Sequence, residues 1–446
     1  MPHTEAELRQ MLATIGVGEV EELFDRAIPA ALRLRGPLDV PPSLDEPALR
    51  LHLRELAAAN ADPLRAVSFV GAGTYVHPAP AAVDPIIRRG EFYTAYTPYQ
   101  PEVAQGTLQA IFEFQSMVAR LLGFEVANAS MYDGASATAE AALMAMRVTE
   151  KTRVVVSAAL HPWYRETLET YLGGGHGEIV TVPFDDASGA TRPETVNAAL
   201  DDQTAAVLVQ SPSYLGVIEA LPALAAAAHD RGALLIVAVP EAASLGLLRP
   251  PGSCGADVAT GEGSSFGLGP SFGGPALGLF ACQQKHVRQM PGRLCGETLD
   301  AEGRRGYVLT LSTREQHIRR GKATSNICTN AGLMMLSATV YLEVMGRRGI
   351  ERVARLSHAR FRQLRDRLAA AGFAPRFSGP AFDEYVVRVP RAAEVHARLA
   401  AQGIFAGVTL DGVNAPGLED TLLLCATEAN TDAQIERLVA ALVEAR

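Results

Sequence analysis

From Thr152 to Cys282 the chain alternates short apolar runs with amphipathic ones, and few folds accept that pattern. The apolar runs fall at Arg153–Ala158, Glu178–Phe184, Ala205–Gln210, Ala233–Val239, Ala256–Thr260 and Leu277–Cys282. Helical patterns fill gaps near Pro162–Leu172, Pro193–Leu200 and Ala220–Asp230. Strands apolar on both sides and linked through helices require a mainly parallel sheet covered on both faces. Ligands of such sheets sit beyond the carboxyl ends of the strands. His161, Gln210 to Ser213, Pro240 and Glu241 follow those ends, and each is equally an ordinary loop residue.

Within the alternation, Gly255 to Phe280 is built from Gly, Ser, Pro and small apolar residues. It holds no Lys, Arg or His. A loop of such small residues lets backbone pass close to a neighbour. A second small-residue turn, Tyr132 to Thr138, opens an Ala-rich helix. Gly134, Ser136 and Thr138 there suit a phosphate bound on free N–H groups, and suit an ordinary helix cap as well.

The alternating region is flanked on both sides. Residues 1–65 read as a helical arm: Thr4 and Glu7 form a capping box, and further helices begin near Val20 and Asp45. Residues 66–332 form the large domain, and 333–446 comprise two linking helices and a small C-terminal α/β domain. In the loop from Glu91 to Glu102, Phe92, Tyr93, Tyr96 and Tyr99 cluster while Pro98 and Pro101 oppose a helix. Such a loop either packs on its own core or presents hydroxyls to a pocket or partner. The segment Arg314 to Asn330 is basic and ends in the polar run Thr324, Ser325, Asn326.

Charge narrows the partners. Forty Lys and Arg against 49 Asp and Glu leave −9, which disfavours nucleic acid and anionic membranes. The apolar region Leu221–Leu248 is interrupted by Asp230, Arg231 and Glu241, so no membrane span is expected. The N-terminus lacks a signal-peptide pattern. Five cysteines without a CxxC pair predict reduced thiols in a cytoplasmic protein and no metal centre.

The arm, parallel-sheet domain and small C-terminal domain together resemble fold-type I pyridoxal phosphate (PLP) enzymes. The blocks EFYTAYTPYQPE, ANASMYDGASATAEA, FGGPALG, QMPGRLCGETLD and KATSNICTN resemble the glycine cleavage system P-protein family over essentially the whole chain. The match is to the first (alpha, N-terminal-half) chain of its two-chain form. The resemblance implies glycine dehydrogenase (decarboxylating) activity, with the aminomethyl group passed to the lipoyl arm of H-protein. It implies a beta subunit that carries the PLP lysine, and a dimer of αβ pairs.

Taken residue by residue, the resemblance makes Gly134, Ser136 and Thr138 the phosphate turn and His161 the imidazole over the ring. The acid that should follow the strand ending at Val239 is missing, with Glu241 only nearby. The lysine expected around Ser264 or Ser265 is also missing; Lys151, Lys285 and Lys322 all lie elsewhere. The expected reading is a cofactor-less half whose loops complete the partner's site, through Tyr93, Thr94, Tyr96, Tyr99, Gln100, Thr324, Ser325 and Asn326. Two alternatives stand beside it: an independent PLP-dependent decarboxylase or desulfurase using one of the three lysines, and a non-catalytic regulatory binding subunit.

Overall fold

The computed structural model describes residues 3–34, 36–61, 66–410 and 417–446. The chain divides into two compact units, 1–62 and 63–446. The first carries helices α1 (Glu5–Ile15), α2 (Val20–Ala27) and α3 (Glu46–Ala58). Thr4 and Glu7 close the capping box, Glu7 N–H donating to Thr4 and Thr4 N–H to the Glu7 carboxylate. Asp45 caps α3 by accepting from Ala48 N–H at 2.9 Å.

In the second unit, after a short strand (Val67–Ser68) and two short helices (Val83–Ile87 and Gly90–Tyr93), come α4 (Gln105–Leu122), strand β1 (Val126–Ala127) and α5 (Gly134–Thr149). The alternation follows as β2 (Arg153–Ser157), α6 (Pro162–Leu172), β3 (Glu178–Val182), α7 (Pro193–Ala199), β4 (Thr204–Gln210), α8 (Leu221–His229), β5 (Leu234–Val239), β6 (Val258–Glu262) and β7 (Gly278–Cys282). Among the described residues these strands form one seven-stranded sheet, ordered β1-β7-β6-β5-β4-β2-β3. Strands β2 to β6 run parallel, as the alternation requires. The last strand differs: β7 is antiparallel to β6, with Thr260 opposite Phe280. The connection 263–277 contains no helix to carry the chain across a sheet face, so it returns beside β6 in the opposite sense.

Period-two alternation divides the strand residues between two cores. Val155, Val207, Val209, Leu235 and Val237 pack with α4 and α8, while Val154, Val156, Leu208 and Ile236 pack with α5 and α6. A hairpin, β8 (Leu294–Leu299) and β9 (Arg305–Thr310), lies next in the chain and is absent from the sequence reading. The two linking helices form one 39-residue element, α9 (Gly332–Ala370), broken at Gly346 with φ 56° and ψ −179°. The small domain sets β10 (Glu384–Arg388), β11 (Val408–Thr409) and β12 (Thr421–Cys425) in the antiparallel order β10-β12-β11. Its core takes Phe361, Leu364 and Leu368 from α9, with α10 (Ala392–Ala401) and α11 (Asp432–Ala445).

Candidate functional site

The carboxyl ends of β2 and β6, the start of α5 and the loop 72–75 meet at a cavity of about 250 Å³. Gly134, His161 and Ser264 line it, with Asp133, Tyr164, Glu262 and the loop 273–276. Three of the residues singled out in the sequence therefore converge here, because each follows a strand end or opens a helix. Ser136 and Thr138 do not line it. Ser136 N–H donates to the capping Asp133 carboxylate at 2.7 Å. The Thr138 hydroxyl turns inward, to Gly134 C=O and Thr260.

His161 and Glu262 are already engaged. His161 Nδ1 accepts from Trp163 N–H at 3.1 Å, so Nε2 must carry the proton that lies 2.9 Å from Ala72 C=O. Burial pushes its pKa down against the pull of Ala72 C=O and Glu166, which agrees with a neutral ring. The imidazole is thus a helix cap, with no nitrogen left for chemistry. Glu262 accepts from Gly134 N–H at 3.1 Å, Ser264 N–H at 3.1 Å, Leu277 N–H at 2.8 Å and the Ser264 hydroxyl.

PLP does not fit these residues. Its phosphate would need the N–H groups at the start of α5, where two carboxylates, Asp133 and Glu262, already sit. Like charges at about 4 Å cost roughly 4 kcal/mol at an effective dielectric near 20. No lysine lines the cavity. At the position expected for one, Ser265 donates to Glu241 at 3.2 Å. Glu241 also accepts from Ala243 N–H at 2.6 Å and lies 3.3 Å from His77 Nε2.

His77 joins three parts of the second unit. Its Nδ1 lies 2.9 Å from Glu428, which accepts from the Ser357 hydroxyl at 2.7 Å. Burial presses the imidazole toward its neutral form, but Glu241 and Glu428 outweigh it and hold its pKa up at about 11. An imidazolium between two buried carboxylates satisfies all three groups.

A second constellation lies around the aromatic loop. Tyr93 sits on a short helix, Gly90–Tyr93, so the prolines bar only the residues after it. Tyr93 and Tyr96 are 66% and 76% exposed. The Thr94 hydroxyl donates to Gly90 C=O at 2.7 Å, and Gln100 is exposed. The loop meets the polar segment where Thr97 and Thr329 hydroxyls lie 3.3 Å apart. Thr324 N–H donates to Arg314 C=O, the Ser325 hydroxyl donates to buried Glu140 at 2.7 Å, and Asn326 is exposed. Tyr99 covers a buried guanidinium: Arg293 Nη2 donates to its hydroxyl at 2.8 Å and Cζ lies 5.3 Å from the ring centroid. Arg293 pairs with buried Glu315 at 3.4 Å, and its Nη1 has no partner. His317 packs edge-on against Tyr99, with centroids 5.2 Å apart.

The model of the glycine cleavage system P-protein family matches residues 1–442. The chain belongs to that family. Among relatives of this P-protein chain is the probable glycine dehydrogenase (decarboxylating) subunit 1 of Anaeromyxobacter dehalogenans (strain 2CP-C), 56% identical over 431 residues and 96% of each chain. The protein of the same name from Rhodospirillum centenum (strain ATCC 51521 / SW) is 52% identical over 100% of this chain and 99% of its own. A crystal structure of glycine decarboxylase (P-protein) of the glycine cleavage system, in inhibitor-bound form, superposes with a TM-score of 0.89 at 42% identity, covering 100% of this chain and 99% of its own. A sphingosine-1-phosphate lyase from Burkholderia pseudomallei K96243, at 16% identity, 94% coverage of each chain and a TM-score of 0.68, shares the fold alone.

Four residues central to this P-protein chain escaped the sequence reading: His77, Glu262, Arg293 and Glu315. Glu262 stands in a run of Gly and Ser, and a single carboxylate in a loop carries no signal of its partners. Arg293 is isolated between Gly292 and Leu294, and nothing local marks a guanidinium only 2% exposed.

Proposed function

We propose that this chain is subunit 1 of a two-chain glycine decarboxylase and acts by completing a site on its partner. A cavity whose His161 and Glu262 are paired within the chain, together with the exposed Tyr93 and Tyr96, carries this reading. The covalent chemistry on glycine then belongs to a beta subunit, which holds PLP through its own lysine. Lys285 and Lys322 are exposed and Lys151 donates to Arg231 C=O and Gly232 C=O, which gives no support to an independent PLP enzyme.

In this reading the exposed Tyr93 and Tyr96 and the run Thr324 to Asn326 face the partner. Their hydroxyl and amide groups bind the substrate carboxylate or the cofactor phosphate. Arg293 positions Tyr99 from below, and Glu140 positions Ser325. Closing such a site excludes water and strengthens every polar contact inside it. Lipoylated H-protein is the acceptor of the aminomethyl group, and the assembly is a dimer of αβ pairs. Five free cysteines, four of them buried, suit a reducing cytoplasm. Among the described residues no helix is long and apolar enough to cross a membrane.

The test is glycine-dependent CO2 exchange measured with each chain alone and with both. The expected result is activity only in the mixture. A second subunit fully active by itself would overturn the proposal.

A further inference from the structure

We infer that Glu262 is a built-in anion that shuts the cavity of this chain to phosphate-bearing ligands. The observation is geometric and does not depend on which reaction the partner performs. The carboxylate is 8% exposed and ends β6. Its four contacts come from three separate places: Gly134 at the start of α5, Ser264 just beyond β6, and Leu277 at the entry to β7.

Every one of those partners is a donor. Three of the four are backbone N–H groups, which cannot accept an O–H; only the Ser264 hydroxyl can, so the backbone donors favour the ionised form. Burial, with the nearby Asp133 charge, raises its pKa overall, and the contacts from Ser264, Leu277 and Gly134 work against that rise. The first free amide of α5 therefore meets a negative charge supplied by the chain itself. Gly134 is also closed from the other side: a Cβ placed there would lie 2.0 Å from Tyr164 Oη. A phosphate approaching this helix end meets Glu262 and Asp133 before it meets a donor.

Removing the carboxylate should turn the lock into a site. The variant Glu262→Ala leaves three N–H groups and one hydroxyl aimed at a space the size of a small anion, inside a cavity that reaches solvent past Trp163. Donors left bare by deletion of a buried acceptor are costly, and an anion that supplies the acceptor recovers the loss.

The experiment uses the full chain and inorganic phosphate, with chloride at matched ionic strength as the control. Thermal midpoints and calorimetric titrations are recorded for wild type, Glu262→Ala, Glu262→Gln and the surface variant Glu297→Ala. Wild type and Glu297→Ala are expected to ignore phosphate. Glu262→Ala should melt below wild type, bind phosphate at least about tenfold more tightly than wild type, and regain about 2 °C or more in its presence. Equal stabilisation of wild type and Glu262→Ala by phosphate, or a folded Glu262→Ala that binds none, overturns the inference. If the alanine variant fails to fold, the isosteric Glu262→Gln decides. Its carbonyl can keep the three bonds of one carboxylate oxygen while its N–H2 opposes Gly134 N–H, so it should melt below wild type; a Gln variant as stable as wild type refutes the anionic role.

Discussion

The cavity beside β6 and the surface around residues 91–102 contain the same kinds of group, and they use them in opposite ways. At the cavity the polar groups around Glu262, Glu241 and His161 are paired within the chain. At the surface Tyr93 and Tyr96 stand exposed, while beneath Tyr99 a buried arginine keeps an unpartnered nitrogen. Internal pairing contributes to stability and ends reactivity. Unspent donors at an exposed aromatic patch are what a second chain needs. The contrast teaches that a lysine-free cavity is closed to chemistry only where its polar groups also have partners within the chain.

Mutations on the two sides should separate cleanly. The largest stability effect is expected at His77, whose removal leaves Glu241 and Glu428 buried without their cation. His77→Ala should cost about 3–5 kcal/mol in denaturant unfolding. The pH dependence has a definite sign. The folded pKa, about 11, lies above the ordinary 6.5, so this stabilisation is full below pH 6.5 and declines as pH rises toward 11. The gap between wild type and His77→Gln should narrow from pH 7 to pH 10; a constant gap would contradict a charged imidazole.

On the other side, Arg293→Met frees Tyr99 from the guanidinium that holds it. It should lower the CO2-exchange rate of the mixed chains on the order of 10- to 100-fold. Arg293→Lys should recover part of that rate, because the charge under the ring returns without the fork. Rates for both variants at wild-type level would remove Arg293 from the account.

A smaller effect is expected at Ser265, one of the two positions where the family resemblance places the missing lysine. Ser265→Ala removes one buried hydrogen bond to Glu241 and should cost about 1 kcal/mol in unfolding. The smallest is at Thr431, whose side chain caps α11 at Gln434 N–H. Thr431→Ala should cost about 1 kcal/mol or less, read as faster hydrogen exchange in the first turn of α11.

Much of the fold was legible because period-two runs and helix caps are local. The six strands from Arg153 to Cys282, the Thr4 and Thr431 capping boxes and the break at Gly346 all follow from neighbours in sequence. Strand direction is not local, so the sequence pattern did not single out β7 as the strand that turns antiparallel to β6 in the mainly parallel sheet. The site divides in the same way. His161 was found because a strand end points to it, Gly134 because a small-residue turn opens a helix and Ser264 through the family resemblance, whereas His77 meets Glu428 across 351 positions and Gly134 meets Glu262 across 128. Pairings between such distant residues leave no trace in spacing or composition. Asp133 and Glu262 together show why a phosphate-like turn was misleading: the donors are present and the occupant is the chain itself.

The central claim is that this chain contributes through its aromatic surface and not through its own pocket. The most direct measurement compares Tyr96→Ala and Ser265→Ala in glycine-dependent CO2 exchange with the second subunit, at saturating partner. The account predicts a large loss for Tyr96→Ala and a wild-type rate for Ser265→Ala; a wild-type rate for Tyr96→Ala with a large loss for Ser265→Ala would contradict it.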